Sequence, residues 1–120
     1  MWKEVTEMDK KRKELAGQYK QRTVMGGVFR INNTKNGKYW LAADDDLRGA
    51  RNRHDFSVMT GSCVVLQMAA DWRAQEAADF VFEELETLEK KPDQTQKEFR
   101  EELGILLEIW REKLDPALRY

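Results

Sequence analysis

Cysteine, histidine and proline are scarce in this sequence of 120 residues, which contains one cysteine, one histidine and two prolines. The lone Cys63 excludes a disulfide framework and a cysteine-rich metal site. Since His54 is the only histidine, a zinc site built from histidine and cysteine is excluded as well. No apolar run is long enough to span a membrane and no apolar secretory segment stands at the start, so we expect a cytoplasmic protein without a membrane partner.

Charge is abundant but unevenly distributed. Residues 1–54 contain 13 Lys and Arg against 7 Asp and Glu, whereas residues 55–120 contain 8 against 15. The two balances, +6 and −7, sum to the net charge of −1. A basic half offers a surface to nucleic acid, because neutralising phosphates drives non-specific binding. The alternative is that these charges only solvate helix surfaces, which is common in a chain rich in Lys and Glu.

Residues 27–42 predict a β-hairpin. Residues 28–31 and 39–41 are rich in β-branched, aromatic and aliphatic side chains, which favour half-buried strands. Between them, Asn36 and Gly37 form the strongest turn signal in the chain, because both adopt positive φ at low cost. We expect the helices that surround this hairpin in the sequence to pack on it.

Upstream of the hairpin, an apolar stripe over residues 3–21 predicts an N-terminal helix. We therefore divide the chain into this helix with its connector, residues 1–25, and a domain of residues 26–120, within one compact unit. Downstream, the carboxylates of residues 44–46 suit the start of a helix over about Leu47–Ser57, since they cap free N–H groups. The alternative for three adjacent carboxylates is a divalent metal site.

The second half of the sequence predicts two further helices and a strand. A break at residues 60–62 supplies an N-cap for a helix that extends to about Glu76. The alternation around Phe80 predicts a third strand over about residues 79–85. Thr95 and Glu98 form a capping-box pattern at the start of a last helix, residues 96–114. This order of elements predicts an α/β (α+β) domain with a small, three-stranded, largely antiparallel sheet flanked by helices.

Residues 26–114 contain motifs that resemble those of the GIY-YIG nuclease superfamily, especially small bacterial proteins of that kind. In that family a Gly-Ile-Tyr strand, an Asn-Gly-Lys turn and a Tyr-Ile-Gly strand open the domain. Here residues 27–29 read Gly-Val-Phe, residues 36–38 read Asn-Gly-Lys and residues 40–42 read Trp-Leu-Ala. The resemblance implies a GIY-YIG-like fold with an extra N-terminal helix.

The resemblance also implies which positions would form a catalytic site. In active members tyrosines align and deprotonate the attacking water, an arginine stabilises the phosphate and a glutamate holds a divalent cation. The corresponding positions here are Phe29 and Trp40 for the tyrosines, Ala50 for the arginine and Leu107 for the glutamate. His54 stands at its expected spacing, as a base, a phosphate ligand or simply a partly buried side chain. Phe29 lacks a hydroxyl and Trp40 offers only an N–H donor, so we expect a degenerate site that needs no cofactor.

Three residues next to these positions are possible substitutes. Tyr39, Arg51 and Glu108 each stand one residue away from an expected catalytic position. An active, metal-dependent DNA endonuclease would use them, with Glu108 as the ligand of Mg²⁺ or Mn²⁺. A shift of one residue turns a strand side chain to the opposite face and rotates a helix side chain by about a quarter turn or more, which weighs against this alternative.

Two non-catalytic hypotheses remain. In the first, the domain binds nucleic acid through basic residues near the ancestral groove, which are Lys35, Lys38, Arg48, Arg51 and Arg53. In the second, four tryptophans are many for this length, and Trp40, exposed in the old active-site cleft, binds an apolar protein partner or forms a homodimer. The alternative for the four tryptophans, Trp2, Trp40, Trp72 and Trp110, is burial in the core.

Overall fold

The structure, a computed structural model, describes residues 24–63 and 65–120. The predicted helix over residues 3–21 lies outside them. The strands are β1, Met25–Asn33; β2, Tyr39–Asp44; and β3, Phe80–Glu89. The α-helices are α1, Leu47–Thr60; α2, Ala69–Ala74; and α3, Gln96–Lys113. Short 3₁₀ turns cover Leu66–Met68, Ala77–Asp79 and Pro116–Leu118.

The three strands form one antiparallel sheet in the order β2-β1-β3. The predicted hairpin is confirmed, because β1 and β2 pair from Gly27 opposite Asp44 to Asn32 opposite Tyr39. Gly37 adopts φ +76° in the connecting turn, as the turn signal requires. The predicted fold class, a mixed α/β domain with a three-stranded antiparallel sheet flanked by helices, is therefore correct.

The sheet buries an apolar cluster on each face, because side chains alternate along a strand. We call the first the α1-side core, which consists of Phe29, Ile31, Leu47, Ala50, Met68, Trp72, Phe80 and Phe82. The second, the α3-side core, consists of Val28, Tyr39 and Leu41. Partly buried side chains pack against it, namely Leu106, Leu107 and Trp110 of α3 and Leu114, which follows the helix. The domain thus has three layers, with α1 and α2 on one face of the sheet and α3 on the other.

Helix α1 begins where the carboxylates predicted it. The Asp46 side chain accepts a hydrogen bond of 3.0 Å from the backbone N–H of Gly49, which caps the helix. The helix continues three residues past the predicted Ser57 and ends at Gly61, which adopts φ +73° in the left-handed region.

The prediction of a second helix directly after residues 60–62 was wrong. Residues 61–63 are not helical, Val65 is extended at φ −101° and ψ 111°, and α2 begins only at Ala69, after a 3₁₀ turn. The physical reason is tertiary packing, since Cys63 and Val65 both contact the α1-side core. A helix over this stretch would withdraw these two side chains from the sheet.

Strand β3 is longer than predicted because β1 provides a partner along its whole length. The pairing runs from Asn33 opposite Phe80 to Met25 opposite Glu89. The register shifts between Val28 and Phe29, which marks a bulge in β3. Alternation of apolar residues ends before the bulge, so the sequence pattern covers only the first part of the strand.

Helix α3 begins with the predicted capping box. Thr95 Oγ1 accepts from the Glu98 N–H, and the Glu98 carboxylate accepts from the Thr95 N–H, both at 3.1 Å. After the helix, the backbone N–H of Tyr120 donates to the carbonyl of Tyr39, which attaches the last residues to the free edge of β2. Within the described residues, no helix is long and apolar enough to cross a membrane.

Candidate functional site

A cavity of about 150 Å³ lies between the sheet and the helices α1 and α2. It opens within the α1-side core, so most of its wall is apolar. Four of the five positions that the resemblance assigns to a catalytic site meet here, namely Phe29, Trp40, Ala50 and His54. The remaining wall consists of Ile31, Ala42, Ala43, Asp44, Arg53, Ser57, Cys63, Val65, Met68 and Trp72.

Phe29 and Trp40 come to the cavity from adjacent strands. Phe29 is opposite Ala42 in the ladder and Trp40 is opposite Ile31, so both side chains lie on the α1 face. Their rings meet edge to face, with centroids 6.0 Å apart. Phe29 also stacks on Phe82 at 4.6 Å. These contacts are those of core aromatics, and Trp40 is partly buried against the same cluster.

Ala50 and His54 face the cavity from α1, because residues four apart lie on the same side of a helix. Ala50 is buried and adds only a methyl group. The His54 ring is also buried, and its Nε2 lies 3.0 Å from the carbonyl oxygen of Phe80. Burial lowers the pKa of His54 below its ordinary value of 6.5, with the hydrogen bond to Phe80 opposing part of this effect. A neutral ring that donates through Nε2 keeps Nδ1 as an acceptor.

An ion pair between Asp44 and Arg53 stands at the edge of the cavity. The other oxygen of the Asp44 carboxylate accepts from the backbone N–H of Asp46 at 2.8 Å. From the sequence, Asp44 was expected to cap a helix or bind a metal, and Arg53 to contact nucleic acid. Their nine-residue separation carries no local signal for a pair.

The three possible catalytic substitutes do not meet in this cavity. Tyr39 is buried in the α3-side core on the opposite face, and its hydroxyl donates to the carbonyl of Asp115 at 2.9 Å. Arg51 lies over the Phe82 ring and 3.6 Å from the Glu84 carboxylate. Glu108 is exposed on α3, where it pairs with Arg111. None of the three belongs to the cavity wall.

Leu107, at the position where the resemblance would place a glutamate, also stands apart. It packs against the α3-side core, whereas Phe29 and Trp40 belong to the α1 side. In the described part of the chain, no three His, Cys, Asp or Glu side chains are grouped as metal ligands would be.

The basic residues fall into two groups. Lys35 and Lys38 are exposed in the β1–β2 turn, where the Lys38 ammonium lies 5.7 Å from the centre of the Tyr120 ring. Arg48, Arg51 and Arg53 are exposed on α1, the helix that forms one side of the cavity. The α1 group is therefore the one next to the candidate site.

A polar network at the turn end of the sheet was not predicted. The amide of the fully buried Asn33 donates to Gln75 Oε1 at 2.7 Å and to the Tyr120 hydroxyl at 2.8 Å. Tyr120 in turn donates to the Asp71 carboxylate at 2.7 Å, which also accepts from Asn36 at 3.0 Å. The hydrogen bond from Tyr120 lowers the pKa of Asp71. These partners come from three distant segments, so no sequence spacing indicates them.

No protein-family model matches this sequence, and no curated protein matches it. The fold, however, is similar to solved structures of the catalytic domain of the GIY-YIG homing endonuclease I-TevI. One, a mutant of this intron endonuclease, superposes with a TM-score of 0.59 at 16% identity, over 80% of this chain and 91% of that one. A second gives a TM-score of 0.56 at 19% identity, over 79% and 95%. This chain has a GIY-YIG-like fold.

The GIY-YIG-like fold confirms the architecture that the motifs of residues 26–114 implied. At these identities the similarity concerns the fold alone. The chemistry of the cavity depends on its own side chains. Among these, Phe29, Trp40 and Ala50 supply no proton donor or acceptor other than an indole N–H.

Proposed function

We propose that this chain is a GIY-YIG endonuclease-like domain without hydrolytic activity that serves as a nucleic-acid-binding or accessory module. The observation that carries the proposal is the apolar wall formed by Phe29, Trp40 and Ala50 in one cavity. Hydrolysis of a phosphodiester requires an activated nucleophile, a group that stabilises the developing charge and a Lewis acid. These three side chains supply none of them.

The positions of the possible substitutes support the same conclusion. Tyr39 is committed to a hydrogen bond in the α3-side core, and Glu108 is paired on the exposed side of α3. Arg51 lies on the α1 side, but it is directed to Phe82 and Glu84. An active centre built from these residues would require side chains on both faces of the sheet to reach one phosphate.

Binding to nucleic acid is supported by the exposed arginines of α1. Arg51 and Arg53 make ion pairs with partly exposed carboxylates, and such pairs contribute little to stability, so phosphate oxygens compete well for these guanidinium groups. Arg48 is exposed on the same helix. Each phosphate that they neutralise releases counterions, so binding would weaken steeply with salt.

Two assays on the full chain test the two parts of the proposal. Linear and branched DNA incubated with the protein in Mg²⁺ or Mn²⁺ should stay intact; cleavage that disappears in Arg51→Ala and Glu108→Ala would instead establish the active alternative. In a mobility-shift assay at low salt, DNA should be retained. Absence of retention would refute the nucleic-acid-binding role while leaving the lack of hydrolysis unaffected.

A charge-matched pair of variants locates the binding surface. The triple variant Arg48→Ala/Arg51→Ala/Arg53→Ala should bind DNA about tenfold more weakly or worse, with a shallower salt dependence. The control removes three exposed cations from α3 and the residues that follow it, namely Lys97, Lys113 and Arg119. Equal weakening in both variants would mean that net charge, and not the α1 surface, determines binding.

A further inference from the structure

The cavity beside His54 has the size of a binding site for one small ring. Apolar cavities of about 150 Å³ in other proteins stay dry and take up benzene-sized ligands, whereas sites for drug-sized molecules start at about 300 Å³. The volume here is about 150 Å³. A ligand with a single six-membered ring therefore matches this volume.

The wall favours an aromatic ligand. Trp40 meets Phe29 edge to face at one side of the cavity, and Trp72 is buried at another. An aromatic ligand can form offset or edge-to-face pairs with such side chains, and these pairs add about 0.5–1.5 kcal/mol to the burial of apolar area. Aliphatic ligands of equal volume lack this contribution.

The charges around the cavity cancel. The Asp44 carboxylate pairs with Arg53, so it does not attract a cation. His54 is buried beside Trp72 and Phe82, and its surroundings disfavour the charged ring. A charged ligand would lose its hydration against a mostly apolar wall, so a neutral one is favoured.

His54 can provide a hydrogen-bond acceptor to the cavity. The Nε2–H of His54 is used by the Phe80 carbonyl, which leaves Nδ1 as the acceptor of the neutral ring. We propose that the cavity is a binding site for a neutral ligand built on one aromatic ring with a single O–H or N–H donor that bonds to His54. This proposal does not rest on nucleic-acid binding at α1, although Arg53 belongs both to the cavity wall and to that surface.

Phenol, benzene and benzoate, titrated into the full chain, test the proposal. Phenol should bind about fivefold more tightly than benzene, as one neutral hydrogen bond allows, and benzoate should bind at least about tenfold more weakly than phenol. Side-chain NMR signals of the indole N–H groups of Trp40 and Trp72 should shift, whereas that of Trp110, on the other face, should not. Shifts confined to Trp110, or no binding of phenol at millimolar concentration, would overturn the proposal.

Three variants distinguish ligand binding in this cavity from non-specific binding elsewhere on the protein. Ala42→Leu fills the cavity from β2 and should abolish binding of both phenol and benzene, while Ala70→Leu, at an exposed position outside the wall, should leave both unchanged. His54→Phe keeps a ring but removes the acceptor, so benzene should still bind and the preference for phenol should fall to within about twofold. A preference that survives in His54→Phe, or binding that survives in Ala42→Leu, would contradict the proposal.

Discussion

The rings of Phe29 and Trp40 meet edge to face across two paired strands, with centroids 6.0 Å apart and planes inclined by 68°. Residues with phenol groups at these positions would place two hydroxyls in the same cavity. Here Phe29 stacks on Phe82, and both Phe29 and Trp40 line the cavity. The same two positions can therefore support the fold while supplying no proton carrier of their own to the cavity.

The double variant Phe29→Tyr/Trp40→Tyr should not gain nuclease activity. Two phenols would restore candidates for water activation, but Ala50 still provides no charge to the cavity and Leu107 still packs on the other face. The variant should also be less stable by about 1–3 kcal/mol, since each hydroxyl enters an apolar surrounding. DNA cleavage in Mg²⁺ or Mn²⁺ and urea denaturation measure the two effects. Cleavage by this variant alone would mean that the rest of a catalytic site is intact.

The free energy of unfolding should fall as the pH is lowered, because of His54. Burial lowers its pKa in the folded state below the ordinary 6.5, so the unfolded chain binds more protons as the pH falls through this value. Stability should be level above about pH 7, decrease towards pH 5 by at most about 1.4 kcal/mol per pH unit, and level off below the folded pKa.

Denaturation curves at pH 5 to 8 measure this effect. Because His54 is the only histidine, no other histidine titrates in this pH range. In His54→Gln, whose amide N–H can still bond to Phe80, the slope between pH 5 and 7 should vanish. Carboxylates such as Glu83, whose pKa is lowered mainly by the hydrogen bond from Arg30, lose their contribution only at lower pH. An unchanged slope in the variant would contradict the assignment to His54.

The hairpin and the ends of α1 and α3 were predictable because their signals are local. The turn at Gly37 and the cap at Thr95 depend on residues within a few positions of each other. The start of α2 was not predictable from local pattern, since the packing of Cys63 and Val65 on the sheet overrides it. Tertiary contacts decided the structure wherever propensity and packing disagreed.

The candidate site was predictable only in part, for a similar reason. Spacing within the resemblance located Phe29, Trp40 and His54, which the sheet and α1 bring together. Met68 and Trp72 also line the cavity, from a 3₁₀ turn and from α2; the sequence predicted a helix here, but not that it packs against this site. Side chains alternate between the two faces of a strand, so Tyr39 and its neighbour Trp40 lie on opposite faces of the sheet.

Asn33→Ala should destabilise the protein by about 1–3 kcal/mol, because it removes a buried amide and the hydrogen bonds that it makes to partly buried partners. Asn33 is fully buried and joins the turn to Gln75 and Tyr120, which are 42 and 87 residues away in sequence. Asn52→Ala, at an exposed position on α1, is the control and should change stability by less than about 0.5 kcal/mol. Urea denaturation measures both, and equal effects would mean that the network contributes nothing specific.

Two glycines should respond in opposite ways to alanine. A Cβ on Gly27 would lie 2.1 Å from the backbone oxygen of Glu86, so Gly27→Ala should disrupt the β1–β3 ladder and cost more than about 3 kcal/mol. A Cβ on Gly104 would meet no described atom within 4 Å, and this residue lies inside α3. Gly104→Ala should therefore stabilise the protein by about 0.5–1 kcal/mol through helix propensity. Melting temperatures of the two variants check the contrast. A destabilised Gly104→Ala would mean that another element approaches α3 closely at this point.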